Sequence, residues 1–199
     1  MNQVISLFLL LVLLSCQKSK LESQKSITRG AGDIGVSKKN KQRYLLEKVP
    51  LTGEELQSWV PPIVGDFKRI SLSNGLQEEL GISSISTKFQ HEQESEKLIL
   101  LEIMDGAGEM GALLIEKSQE KLKDDFQEQS LPERTEISEH QEFRVLEKEW
   151  TNLPRTYLEF IHSKRFLIKI QAQNLAKEEV IDFVHRFPLE KFVMDISIQ

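Results

Sequence analysis

Cysteine is nearly missing from this chain: Cys16 is the only one in 199 residues, so no disulfide can form within a single copy. Long apolar runs are missing too. The stretch from Val4 to Leu14 is about eleven residues against the ~20 that a helix needs to cross a bilayer, and no second segment is long or apolar enough to span. The four histidines, His91, His140, His162 and His185, stand far apart, without the H-x-x-x-H or H-E-x-x-H spacing of a zinc site. They read as loop and surface residues. No serine lies in a G-x-S-x-G elbow, and no repeat or low-complexity segment marks the body of the chain. The sequence therefore names no catalytic residue, no cofactor and no metal ligand.

What is present begins with the short apolar run, which ends in Leu13-Leu14-Ser15-Cys16. Its length fits a secretory h-region that is cut away. The junction resembles the bacterial lipobox, in which a Leu three places before the cut and a small residue just before it precede an obligatory Cys. Leu13, Ser15 and Cys16 match; Leu14 is bulkier than usual at its position, and Met1-Asn2-Gln3 carries no Lys or Arg. The resemblance implies a signal peptide over residues 1–15, a diacylglycerol thioether on Cys16 and a further acyl chain, typically palmitate, on the new amino terminus. Each buried methylene adds ~0.8 kcal/mol, so two or three chains give a stable anchor. Gln17 resembles the residue of lipoproteins released to the outer membrane, where an Asp would suggest inner-membrane retention. The implied location is the bacterial envelope, at the outer membrane, facing the periplasm or the surface.

Charge divides the remainder. Gln17 to Pro50 holds nine Lys/Arg against three Asp/Glu, a net of +6, which leaves 17 against 28, a net of −11, from Leu51 onward. Residues 16–50 therefore read as the lipidated Cys and a flexible basic linker. As a coil of about 29 residues it has a root-mean-square span of ~30 Å and a stretched limit near ~100 Å. The lysines read as solvated spacer in preference to a specific lipid-headgroup site. The acidic remainder, 51–199, is long enough for one domain with a real core and too short for two. Its charge disfavours nucleic acid.

Within that domain the patterns predict mixed structure. Thr52-Gly53-Glu54-Glu55 is a capping box that opens a short helix, stopped by Pro61-Pro62. Strands are expected over Phe67–Ser73, around Ile85-Thr87-Phe89, over Leu98–Met104, and over Glu142–Glu149, Arg155–Ile161 and Arg165–Ala172, the last two forming a hairpin across His162-Ser163-Lys164. Helices are expected from Glu109 to about Lys123 and from Leu175 to about Arg186, the second capped by Asn174 and ended by Pro188. The acidic stretch Asp124–Glu133 reads as a loop. This order predicts an α+β fold, an antiparallel β-sheet with helices packed on it. It faintly resembles the PsbP-like α/β/α sandwich of several exported lipoproteins, a likeness of element order that brings no functional residues with it.

Gly106-Ala107-Gly108-Glu109-Met110-Gly111 matches G-x-G-x-x-G between a strand and a helix, the setting of a dinucleotide fingerprint. No second parallel strand follows, however, and Asp105 and Glu109 put negative charge where a pyrophosphate would sit. The plainer expectation is that Asp105 caps the helix and the glycines make a tight turn. Trp59, Trp150 and Tyr157 read as core in preference to a ligand pocket. The expected role is a non-enzymatic accessory or protein-binding domain tethered by the lipid on Cys16. Its expected surface comprises Asp105, Gly106, Gly108, Glu109, Asp124 and Asp125, facing an envelope protein partner. Two alternatives stay open. A carrier would hold an apolar molecule between sheet and helix, and a cell-wall hydrolase would use converging carboxylates, with Glu92, Glu94 and Glu96 among those available.

Overall fold

The computed structural model describes residues 44–75, 80–140 and 143–194. Cys16, the expected signal peptide over residues 1–15 and the expected basic linker as far as residue 43 lie outside them. Thr52 caps α1 (Gly53–Trp59) as its sequence predicts: the Thr52 hydroxyl accepts from the Glu55 amide at 3.2 Å and the Glu55 carboxylate accepts from the Thr52 amide at 2.7 Å. A first meander follows, β1 (Ile63–Val64), β2 (Phe67–Asn74), β3 (Ser84–His91) and β4 (Leu98–Asp105). Next, α2 (Gly108–Lys121) carries the chain to the far edge of the sheet. From there β5 (Gln127–Ser130), β6 (Glu133–His140), β7 (Phe143–Trp150), β8 (Arg155–His162) and β9 (Phe166–Gln173) return strand by strand to the middle. β9 pairs with β4, giving one sheet of order β1-β2-β3-β4-β9-β8-β7-β6-β5, antiparallel at every pairing. α3 (Lys177–Arg186) and α4 (Lys191–Met194) complete the fold.

The period-two alternation of β4 and β9 divides the core. Ile99, Leu101 and Ile103 face Ile168, Ile170 and Ala172 in a large cluster shared with Leu56 of α1, Val180 and Phe183 of α3, and Phe192 of α4. Met104 and Leu167 point the other way, into a smaller cluster with Ala112 and Ile115 of α2 and with Leu45 and Ile82. Trp59 belongs to the first side, edge-on to Phe192 at 5.1 Å. Because Leu45 is buried, the chain joins the fold before Leu51.

The expected α+β sandwich of helices on a sheet is corrected by this arrangement, and with it the PsbP-like likeness. Strand makes up 43% of the described residues and helix 26%, in short pieces. Nine strands at ~4.8 Å spacing span about 40 Å, room for roughly four helices side by side, and among the described residues α2 is the one long helix packed on its face of the sheet, beside Leu45 and Ile82. The fold is a mainly-β, nine-stranded antiparallel sheet. The difference arises at Asp124–Glu133, read from sequence as a loop, and at the residues from there to His140, to which no element was assigned: here β5 and β6 form a hairpin that widens the sheet. Two expected caps are also corrected. Ala107, not Asp105, is the N-cap residue of α2, and Ala176, not Asn174, that of α3, where the Glu179 carboxylate accepts from the Ala176 amide at 2.8 Å. Asn174 instead adopts φ 59° and donates its side-chain amide to the Glu96 carbonyl.

Asp105 is occupied elsewhere. It is fully buried at the end of β4 and takes a two-pronged ion pair from Arg165, which is 2% exposed, with both N···O distances 2.7 Å. Its carboxylate also accepts from the Leu51 amide at 2.8 Å and the Ala107 amide at 3.0 Å, while Arg165 donates to the Val49 carbonyl. Four donors on one carboxylate satisfy a charge that burial alone would forbid. Removing either partner would strand the other charge, at about 3–5 kcal/mol.

Candidate functional site

The described residues gather their densest set of ionisable groups on the sheet face beneath α3. Pairing of β6 with β7 sets Glu136 opposite Glu147, Ser138 opposite Val145 and His140 opposite Phe143, so alternate residues of both strands point toward α3. Lys177, the first residue of α3, lowers its ammonium among them. Its Nζ lies 2.6 Å from Glu147 Oε2 and 3.3 Å from both Glu136 Oε1 and Glu149 Oε1. Arg134 adds a 2.7 Å contact to the other oxygen of Glu136. Glu147 is 1% exposed, and its Oε1 accepts from the Ser138 hydroxyl and from His140 Nε2, which carries the hydrogen because an ionised carboxylate can only accept.

These contacts decide the protonation of the pair. Burial pushes the Glu147 carboxyl up, but bonds from Lys177, Ser138 and His140 outweigh it and hold the group below the usual carboxylate range. Burial likewise pushes Lys177 down, and its bond to Glu147, with Glu136 and Glu149 nearby, reverses this and holds the amine above its ordinary value. Glu147 is thus a poor proton donor and Lys177 a poor nucleophile near neutral pH. The carboxylates of Glu136, Glu147 and Glu149 lie within 4.8 Å of one another, close enough to ligate an ion. The Lys177 ammonium already serves as their cation.

Beside this polar end, the same face opens into a shallow apolar groove between β6–β8 and α3, lined by Phe143, Val145, Leu158, Phe160, Ile181 and Val184 and flanked by His140 and His185. Its empty volume is about 280 Å³, part of it open to solvent.

The residues expected at the surface divide into two groups. Asp105 and Gly106 are buried, Gly108 is half-buried, and Glu109 is exposed on the first turn of α2. Asp105 is therefore removed from the expected surface, because its charge is consumed by Arg165. Asp124 and Asp125 are exposed before β5, with Asp125 2.8 Å from Arg144. The G-x-G-x-x-G glycines are explained by packing. A Cβ at Gly106 would meet Ile115 at 2.3 Å, one at Gly111 would meet the Asp105 carbonyl at 2.7 Å, and Gly108 has φ +79°. Of the histidines read as loop and surface residues, His185 is exposed as expected but lies within α3, while His91, His140 and His162 end strands and His162 is buried. Tyr157 donates to Glu159 at 2.6 Å.

Sequence reasoning missed the cluster because it missed β6. The available signal was polar alternation: Arg134, Glu136, Ser138 and His140 recur at every second position. Comparison of the chain with protein-family models, with curated proteins and with solved structures finds no match.

Proposed function

We propose that the chain is a lipoprotein of the bacterial envelope, held in the outer membrane through lipid on Cys16, whose domain is a non-enzymatic binding module for a protein partner. The lipobox-like Leu13-Leu14-Ser15-Cys16 supports the anchor. The binding reading is carried by the open end of the sheet. β5 is the last strand, all four of its residues are exposed, and among the described residues nothing pairs with its outer edge. Such an edge offers backbone donors and acceptors to an added strand. Asp124, Asp125 and Glu128 make the edge acidic, so a basic strand is the complementary partner.

Two features favour this over the alternatives. The converging carboxylates are paired with Lys177 and Arg134, and the buried one, Glu147, is held below the usual carboxylate range, opposite to the raised state that a hydrolase acid requires. The groove under α3 has an empty volume of about 280 Å³ that includes open solvent, which leaves too little enclosed space for a lipid chain. The test is a native mass spectrum of the full mature protein extracted from its own host's envelope. An added polypeptide of fixed mass supports the binding module. An added lipid or small molecule beyond the Cys16 modification would replace it with the carrier, and a bare lipoprotein mass would overturn it.

A further inference from the structure

The segment that delivers the chain to the fold lies against the start of α2. Leu45 is buried in one cluster with Ala112 and Ile115, and Pro50 sits so close to Gly108 that a Cβ there would meet it at 3.2 Å. Around and between these two fixed points side chains face outward: Tyr44, Leu46 and Val49 are exposed, Val49 by 70%. From α2, Met110 and Leu113 are exposed one turn apart. The two segments that meet where the chain enters the domain therefore expose five apolar side chains between them. Lys48 lies over the Tyr44 ring, its Nζ 4.9 Å from the centroid. An aromatic ring beside a long cationic side chain, at the rim of an apolar patch, suits a lipid headgroup layer, where the ring sits at the boundary and the ammonium reaches water or phosphate.

Resting on the anchor proposed above, we infer that this patch lies on the bilayer surface and orients the domain. The occupant follows from connectivity. Twenty-seven residues separate Cys16 from Tyr44, so the patch is the part of the fold nearest in sequence to the membrane and cannot lie beyond about 95 Å from it. Glu47 and Glu109 flank the patch, which favours zwitterionic over anionic lipid. With α2 turned to the membrane, α3 and the groove beneath it face away, on the opposite side of the sheet.

The test uses the mature lipidated chain in vesicles of phosphatidylcholine and phosphatidylethanolamine. Because Cys16 is the only natural cysteine and its sulfur becomes a thioether, one introduced cysteine can be labelled with a polarity-sensitive dye. The positions are Met110→Cys in the patch and Glu178→Cys on α3, with thermal unfolding of each variant compared with the unsubstituted protein. The expected result is a shift to shorter wavelength and loss of fluorescence to a lipid-borne quencher at position 110, with neither at 178. Equal, water-like signals at both positions, with the lipid mass present on the Cys16 peptide, would overturn the patch and leave the anchor standing. A Cys16 peptide without lipid would overturn both.

Discussion

At the scale of single residues, this domain uses its buried charges in matched sets. Asp105 with Arg165 and Glu147 with Lys177 each join a strand to a distant part of the chain, and each carboxylate draws on further donors. The second set makes stability depend on pH. Glu147 has its folded value depressed below 4.5, so its contribution is complete above that value and is lost as pH falls through the depressed one. Lys177 has its folded value raised above 10.5, so its contribution is complete below 10.5 and is lost as pH rises further. Thermal unfolding followed from pH 7 down to pH 2 should show the midpoint falling below about pH 4.5. In Glu147→Gln the neutral-pH midpoint should already be lower and the acid limb flatter. An unchanged acid limb in that variant would remove Glu147 as its source.

At the scale of elements, the junction of β4 with α2 depends on glycine for closeness. Gly111→Ala would press a methyl group onto the Asp105 carbonyl and the Gly106 backbone, where neither neighbour is a flexible side-chain end. The expected cost is about 1–3 kcal/mol, read as a lower denaturant midpoint with an unchanged slope. Ordinary helix gain from Ala, with no loss of stability, would contradict it. The same junction shows what a sequence can disclose. β3, β4, β8 and β9 were legible because apolar side chains alternate along them, and the strand-turn-helix at Gly106–Gly111 because glycines mark a close approach. β5 and β6 were not. Their period-two pattern is written in Arg134, Glu136, Ser138 and His140, whose partners are Glu149 and Glu147 on the next strand and Lys177 at the start of α3, all polar. Hydrophobic periodicity is blind to a strand held by hydrogen-bonded charges, so both the width of the sheet and the polar cluster beneath α3 stayed hidden.

At the scale of the whole molecule, the two halves of the sheet differ in what holds them. β4, β8 and β9 carry the core, whereas β5 buries no side chain and β6 contributes none to either apolar cluster. Native-state hydrogen exchange should therefore find β4, β8 and β9 slowest and the β5–β6 hairpin opening first, well below the global unfolding free energy. Equal protection across the sheet would show that the hairpin is stabilised by more than its ion pairs. The position of the Asp105–Arg165 pair gives this gradient a mechanical meaning. In a chain anchored at Cys16, as proposed, any drag on the domain is drawn through Val49 and Leu51, which Arg165 and Asp105 grip directly. Tension thus enters beside the last residue of β4 and the β8–β9 turn, four strands away from β5. The pair acts as a cleat: the stiff middle of the sheet takes the strain, and the soft outer hairpin stays slack and open to a partner while the membrane pulls.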